Sequence, residues 1–398
     1  MLGRMIVMKK YVGSIILALV LCFTLVGTTL GENNIINSMD FQGKGIDLSL
    51  DKAIEIIIES SPSIEESKLD LEQAEVDYDK YRRDLRDVKK VINTRDEDSI
   101  KYLQSVKLLE ITGEYGLESS KRNYDATIEK LKAEVEQAYY GLLQAQQLEE
   151  INKANVEIAK DLYEKTNKKL ELGLVPKQEV INSELNMIKA ENDYKSAQTT
   201  VKNAKMSLNM ILGHDVMKEL KLKDELKYKE FQLEGIADAV SKGLLNRNEI
   251  KAAVVGHELA QVNFRITEKK YPDITYQYKE AKLDLQKAEK KLEDAKKGIE
   301  IEIRGNYLNV AQKQEEIKAG EKSVELAEEA LRLSQLSYDV GMSVLTDVQK
   351  AQTALLQAKL GLSQAVLDYN LAVLQFEDSI GVGRSAMPSV GSQGGGEF

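Results

Sequence analysis

The sequence contains no tryptophan, one cysteine, two histidines and four prolines, and each scarcity excludes a class of protein. The single Cys22 has no partner for an internal disulfide. Two histidines and one cysteine are too few for a usual zinc site built from these ligands. A zinc or thiol enzyme is therefore disfavoured, and neither catalysis nor a cofactor is expected. With 30% charged and only 6% aromatic residues, the remaining profile is typical of long amphipathic helices.

The N-terminal segment, residues 1–31, is predicted to be an export signal. Three basic residues precede a mostly apolar run from Val12 to Val26, which is too short to span a bilayer comfortably. Cleavage is expected before Glu32, and an uncleaved N-terminal anchor is the alternative. Removing three positive charges takes the net charge from −10 to −13, which disfavours nucleic acid as a partner.

The rest of the chain repeats itself. Residues 135–213 align without a gap with residues 303–381, at an offset of 168, and residues 53–78 align with residues 239–264, at an offset of 186. The offset falls from 186 near the start of the repeats to 168 near their ends, so the second copy must be shorter than the first in its middle. The predicted domains are the signal peptide (1–31), a linker (32–45), a first repeat (46–230), a second repeat (231–381) and a disordered, Gly/Ser-rich tail (382–398).

Each copy carries the pattern of a helical hairpin. The last helix of the second copy has small and apolar residues spaced alternately by three and four, which is typical of a left-handed supercoil. These residues are Val348, Ala351, Leu355, Ala358, Leu362, Ala365, Tyr369, Ala372 and Phe376. Gly173 and Gly341 suit the left-handed cap of a helix end, and Pro176 suits the first turn of the following helix. The pattern predicts an all-α fold of long antiparallel hairpins in two tandem repeats, with a generic coiled-coil spacer as the alternative.

The turn residues point to a family. Tyr338–Gly341 followed by Thr346–Gln349 resembles the periplasmic turn of TolC-type outer-membrane efflux proteins, and so does Leu170–Gly173 followed by Gln178–Val180. The resemblance covers roughly residues 46–381. It implies a homotrimer whose hairpins form an α-helical barrel, a tunnel that docks at its tip on a periplasmic-type adaptor (membrane fusion) protein and an inner-membrane pump. The implied function is an efflux duct; a non-conducting structural or adhesive coiled-coil protein of the cell envelope is the alternative.

The resemblance also implies pore and gate residues. Asp347 matches the first acid of a ring at the constriction, whereas Lys350 stands where a second acid is expected. Tyr338 matches a tyrosine that links neighbouring hairpins, and Glu179 matches an acid that it contacts. Three Asp347 side chains around an axis attract cations, and Lys350 would offset that field. The alternatives are a solvated acid near a helix N-terminus for Asp347 and a simple seam residue for Tyr338.

Residues at the two turns are the candidates for docking the adaptor. They are Gly173, Leu174, Val175, Gly341, Met342 and Ser343.

The middle of each repeat departs from the family pattern. Family members insert β-strands there, and the trimer closes a membrane barrel from them. A membrane strand needs about 9–11 residues of alternating polarity. Lys89–Tyr115 instead reads as helical, with a turn at Gly113 and Gly116, and Tyr271–Tyr278 is one short candidate strand. We therefore expect an all-helical variant in the cell envelope, placed in the outer membrane by the resemblance, or in the cell wall because the strands are missing.

Overall fold

The computed structural model describes residues 41–92, 94–228, 231 and 235–388. It divides into two compact units, residues 1–42 and residues 43–398. Nearly all of the first unit lies outside the described residues, and so do the predicted signal peptide, residues 32–40 of the predicted linker and residues 389–398 of the predicted tail. The fold reported below is that of the second unit.

The chain alternates short and very long helices around a two-stranded sheet. A short helix (Ile100–Tyr102) and a π-helical turn (Leu103–Lys107) lead directly into the 64-residue helix that begins at Leu108. The order is β1 (Gln42–Leu48), α1 (Leu50–Ser60), α2 (Pro62–Val91), α3 (Leu108–Glu171), α4 (Lys177–Ile211), β2 (Lys218–Leu222), α5 (Ile236–Asn246), α6 (Asn248–Lys270), α7 (Tyr276–Asp339) and α8 (Leu345–Ile380).

The helix boundaries confirm the duplication that the sequence predicts. Helices α1 and α5 begin and end 186 positions apart, and α2 and α6 also begin 186 positions apart. At the other end of each repeat, α3 and α7 end 168 positions apart, and α4 and α8 begin 168 positions apart. The predicted all-α fold of two tandem repeats, each with a long antiparallel hairpin, is thus confirmed.

The shortening of the second copy falls on both arms of one helical pair and on the turn between them. Helix α2 has 30 residues against 23 in α6. The connection that follows covers positions 92–99 in the first copy and only 271–275 in the second. The helical run from Ile100 to Glu171 is likewise longer than its counterpart α7. The second pair is therefore shorter but keeps the same topology.

The supercoil seams of the second hairpin are buried or half-buried. Along α7, residues at heptad spacing have relative exposures of 5% or less: Ile303, Val310, Ile317, Leu331 and Tyr338. Along α8, the predicted seam includes the buried residues Val348, Leu355, Tyr369, Ala372 and Phe376. A stripe of this spacing faces neighbouring helices along its whole length. Here it packs α7 against α8 and, towards its ends, also against α5 and the first hairpin.

The largest core lies at the middle of the long helices and joins both repeats. It contains Tyr139 and Leu142 of α3, Ile303 of α7 and Phe376 of α8, together with Leu48 of β1. The sheet of β1 and β2 packs here, so the predicted linker boundary at residue 45 is wrong: the strand already begins at Gln42. This central core fixes how the two hairpins lie side by side.

The predicted turn at Gly113 and Gly116 is wrong, because both residues lie inside α3. The chain reverses instead at residues 92–99. Gly113 is needed for packing: a Cβ atom there would lie 2.5 Å from two ring carbons of Tyr81 on α2. A glycine can therefore mark the close approach of two helices, not only a turn.

The candidate strand Tyr271–Tyr278 is also wrong. Residues 271–275 form a turn in which the backbone N–H of Thr275 donates to the carbonyl of Pro272 at 3.0 Å. Helix α7 begins at Tyr276, and the Thr275 hydroxyl caps it by accepting from the N–H of Tyr278 at 3.3 Å. Within the described ranges, the middles of both repeats are helical hairpins, as the sequence predicts for the first copy.

The prediction of a disordered tail from residue 382 is wrong for residues 382–388. The side chain of Asn123 holds Met387 from both sides, accepting from its N–H at 2.6 Å and donating to its carbonyl at 3.3 Å. Tyr115 donates to the carbonyl of Pro388 at 2.7 Å, and Asn248 donates to the carbonyl of Ser385 at 3.0 Å. These residues therefore form a strap from the end of α8 across α6 and α3.

Among the described helices, none has an apolar stretch long enough to cross a bilayer.

Candidate functional site: the paired hairpin tips

The two hairpin tips are built in the same way. Each long helix ends in a glycine with positive φ, 70° at Gly173 and 79° at Gly341. In the first tip the N–H of Leu174 donates to the carbonyl of Lys169 at 2.9 Å, and in the second the N–H of Met342 donates to the carbonyl of Ser337 at 2.8 Å. These bonds are the Schellman pattern of a glycine-capped helix end. They satisfy carbonyls that the helix leaves unpaired and turn the chain sharply.

Replacing Gly341 by alanine is expected to lower the free energy of unfolding by about 1–2 kcal/mol, because the left-handed conformation strains a residue with a Cβ atom. No atom lies within 4 Å of the added carbon, so backbone strain is the whole effect. Thermal or urea unfolding of the purified chain measures it.

Gly305→Ala is the matched control. Gly305 lies within α7, the helix that Gly341 caps. It has no positive φ, and nothing lies within 4 Å of an added Cβ atom. That substitution is expected to raise stability by up to about 1 kcal/mol, because alanine is the better helix former. Changes of the same sign at both glycines would contradict the assignment of Gly341 as a strained cap.

Tyr338 joins the two tips. Its side chain is 3% exposed, and its hydroxyl lies 3.2 Å from the hydroxyl of Thr166 on α3. The same hydroxyl donates a long hydrogen bond of 3.4 Å to the carboxylate of Glu179 on α4. The last turn of α7 therefore contacts both helices of the first hairpin, so the structure brings Tyr338 and Glu179 together as the resemblance implied.

Lys169 completes this cluster. Its ammonium donates to the backbone carbonyl of Tyr338 and lies 3.8 Å from the centre of the Tyr338 ring. A cation over an aromatic face is attracted by about 0.5–2 kcal/mol, depending on desolvation. Burial is the main cause that raises the pKa of Tyr338 above its ordinary value, and the negative charge of Glu179 raises it further. The phenol therefore stays protonated and can donate at neutral pH.

Glu179 and Asp347 occupy equivalent positions of the two repeats, in the first turns of α4 and α8. Their surroundings differ. Glu179 is half-buried beside Tyr338, whereas the Asp347 side chain is 49% exposed and lies 3.8 Å from the ammonium of Lys350. The Lys350 side chain is itself 80% exposed, and such an exposed pair adds at most about 1 kcal/mol of stability. Asp347 and Lys350 are thus paired but free to meet solutes or another chain.

The two tips expose apolar side chains at matching positions. Leu172 and Leu174 of the first tip are 73% and 69% exposed, and Val340 and Met342 of the second are 62% and 84% exposed. Val175 and Ser343 are half-buried. Exposed apolar residues grouped at one end of a molecule are typical of a docking surface.

Sequence reasoning missed Thr166 and Lys169. Both lie 169 or more positions from Tyr338 in the sequence, and the heptad pattern carries no information about which helix faces which. It also missed Gln352, a 4% exposed amide of α8 that donates to Asn155 on α3 at 2.8 Å and accepts from Asn186 on α4 at 3.0 Å. In the described part of the chain, no group of three or more His, Cys, Asp or Glu side chains is placed to hold a metal ion.

Two tandem repeats, each with a long helix folded back at a capped tip, define an internally duplicated protein of helical hairpins. Residues 275–382 match the family model described as outer membrane efflux protein. No curated protein sequence matches the chain. The likeness to TolC-type efflux proteins is confirmed by sequence for this segment of the second repeat.

Solved structures extend the likeness to most of the chain. The outer membrane protein VceC of Vibrio cholerae shares 15% identity over 84% of this chain and 97% of its own, with a TM-score of 0.64. The MtrE outer membrane channel of Neisseria gonorrhoeae shares 16% identity over 85% and 90%, with a TM-score of 0.63. The CmeC outer membrane channel of Campylobacter jejuni shares 14% identity over 92% and 91%, with a TM-score of 0.61. At these identities the comparison establishes the fold.

Proposed function

We propose that the chain is the subunit of a trimeric efflux duct in the cell envelope. The observation that carries this proposal is the matched pair of long hairpins. Helices α3 and α7 have 64 residues each, or roughly 96 Å at about 1.5 Å per residue. Both end in the same capped tip, so three chains would supply six similar hairpins to one ring.

Apolar stripes on the outer faces of the hairpins support ring closure. Helix α4 exposes Ile181, Leu185 and Ile188 at 53%, 50% and 44%. Helix α7 exposes Leu326, Leu333 and Leu336 at 73%, 47% and 54%. Both stripes follow helical spacing. In a head-to-tail ring the α4 side of one copy meets the α7 side of the next, which buries both stripes.

In this proposal the tips face an adaptor of the membrane-fusion type, which binds an inner-membrane pump. The exposed apolar residues of the tips would dock the adaptor, while Asp347 and Lys350 would line the entrance. The tip residues offer an open surface, so the pump would choose the substrate and the duct would conduct it without catalysis. The duct would lie beyond the inner membrane, in the outer membrane or in the cell wall.

The oligomeric state of the purified chain lacking residues 1–31 tests the proposal. We expect a mass three times that of the chain by light scattering, and an axial channel in electron micrographs. A double substitution of Leu185 and Ile188 by glutamate is expected to give monomers, because it places charges in the buried ring contact.

Asp193→Lys is the matched control, since residue 193 is exposed on α4 but lies about 80° around the helix from Leu185 and about 140° from Ile188. It is expected to leave the trimer intact. Monomers or two-stranded rods formed by the unsubstituted chain would instead favour a non-conducting coiled-coil protein of the envelope.

A further inference from the structure

A cavity lies at the central core, far from the tips. Its volume is about 480 Å³, within the usual range for pockets that hold a small organic molecule. Helix α1, the middle of α3 and the C-terminal half of α8 contribute to its lining, and so do residues 224, 225, 227 and 231. Because both repeats meet here around a buried core, the walls of the cavity are held in place.

Aromatic rings form much of the cavity. Tyr139 and Tyr369 are each 1% exposed, and Tyr140 and Phe231 are half-buried. The two buried hydroxyls already have partners: Tyr139 donates to the carboxylate of Asp224 at 2.6 Å, and Tyr369 accepts from the N–H of Phe231 at 2.8 Å. Tyr139 and Tyr369 therefore form the covered floor of the cavity, and the half-buried rings of Tyr140 and Phe231 are the aromatic surface that a ligand would contact.

The rim of the cavity is acidic. Lys227 is the one cation among the described residues that line it, and its ammonium lies 2.7 Å from the carboxylate of Glu225. That pair leaves the carboxyl groups of Asp51, Asp224 and Glu377 without a cation in the lining. Partial burial raises the pKa of Glu377 above its ordinary value, so a bound cation would favour its charged form.

We propose that this cavity binds an organic cation with an apolar or aromatic body. Aromatic faces attract cations, the apolar walls bury the body of the molecule, and the three carboxyl groups supply the opposite charge. An organic anion of the same size would meet the same walls but would be repelled by the rim. The site is separate from the duct entrance at the tips and does not depend on conduction.

Calorimetric titration of the purified chain lacking residues 1–31 with tetraphenylphosphonium tests the proposal. Tetraphenylborate is the probe of the same shape and opposite charge. Saturable binding of the cation and at least tenfold weaker binding of the anion are expected. Glu377→Gln is expected to weaken cation binding about fivefold through the loss of one nearby charge, and Tyr140→Ala about tenfold through the loss of a ring face.

Glu150→Gln is the matched control, because Glu150 is exposed on the same helix as Tyr140 but does not line the cavity. It should leave binding unchanged. Equal binding of both probes, or binding that is insensitive to both Glu377→Gln and Tyr140→Ala in variants with unchanged thermal unfolding, would overturn the proposal. Binding by monomers but not by trimers would also overturn it, since a neighbouring copy would then fill the cavity. Light scattering on the same samples reports the trimer separately, so either proposal can fail alone.

Discussion

In cells whose only copy of this chain carries Asp347→Ala, export of a cationic dye is expected to fall about tenfold relative to export of an anionic dye. Each Asp347 lies 3.8 Å from Lys350, so the pair is close to neutral. Without the acid, the proposed trimer would present three uncompensated lysines at its entrance. Three charges that are each placed about 8 Å from a cation would repel it by on the order of 1–2 kcal/mol in water, which corresponds to about tenfold.

Lys350→Ala is expected to shift the ratio in the opposite direction, because it leaves three uncompensated carboxylates. The double variant is expected to behave nearly like the unsubstituted chain. Dye accumulation measured for all four chains, at matched expression, gives the comparison. Glu149→Ala, on the distant middle of α3, serves as the control. If Glu149→Ala changed the ratio as much as Asp347→Ala, Asp347 would have no place at the entrance.

Replacing Phe376 by alanine is expected to lower the free energy of unfolding by about 3–5 kcal/mol, the usual cost of emptying a fully buried aromatic position. Phe376 is 1% exposed in the central core. Its ring centre lies 6.0 Å from that of Phe231 and 5.9 Å from that of Tyr307, both in edge-on arrangements. The substitution would leave both neighbouring rings beside a cavity.

Urea unfolding at one fixed protein concentration measures this loss, since assembly would otherwise change the apparent stability. Gln375→Ala, at the neighbouring position of α8 that faces away from the core, is the control and should change stability by less than about 0.5 kcal/mol. Leu208→Ala removes the equivalent residue of the first repeat, which is 0% exposed, and is expected to cost about 2–5 kcal/mol. A loss below about 1 kcal/mol for Phe376→Ala would mean that the core rearranges around the missing ring.

Much of the fold could be predicted because its elements are long and periodic. A seam repeated at heptad spacing predicts both the helix and its buried side, and the predicted α8 residues Val348, Leu355, Tyr369, Ala372 and Phe376 are buried accordingly. Because of the duplication, each element appears twice in the sequence, and this second appearance helped to locate the tips at Gly173 and Gly341. The resemblance added the pairing of Tyr338 with Glu179, which periodicity does not contain.

The predictions that were wrong for Gly113 and for residues 382–388 share one physical cause. A glycine is compatible both with a turn and with close helix packing, and only the position of Tyr81 decides which role Gly113 has. Residues 382–388 open a tail that is Gly- and Ser-rich over residues 382–398 as a whole, and this composition predicts disorder. Asn123 and Asn248 nevertheless supply hydrogen bonds that hold residues 385 and 387. In both cases the deciding partner lies far away in the sequence.

The sequence by itself determined the helical class, the two repeats, the seams and the capped tips, because these depend on interactions between residues a few positions apart. Only the tertiary structure decided which helices meet. It placed Thr166 and Lys169 around Tyr338, gave Glu179 and Asp347 different surroundings at equivalent positions, and closed aromatic rings from both repeats around a cavity with an acidic rim. Those contacts join residues far apart along the chain, and a local pattern carries no record of such pairings.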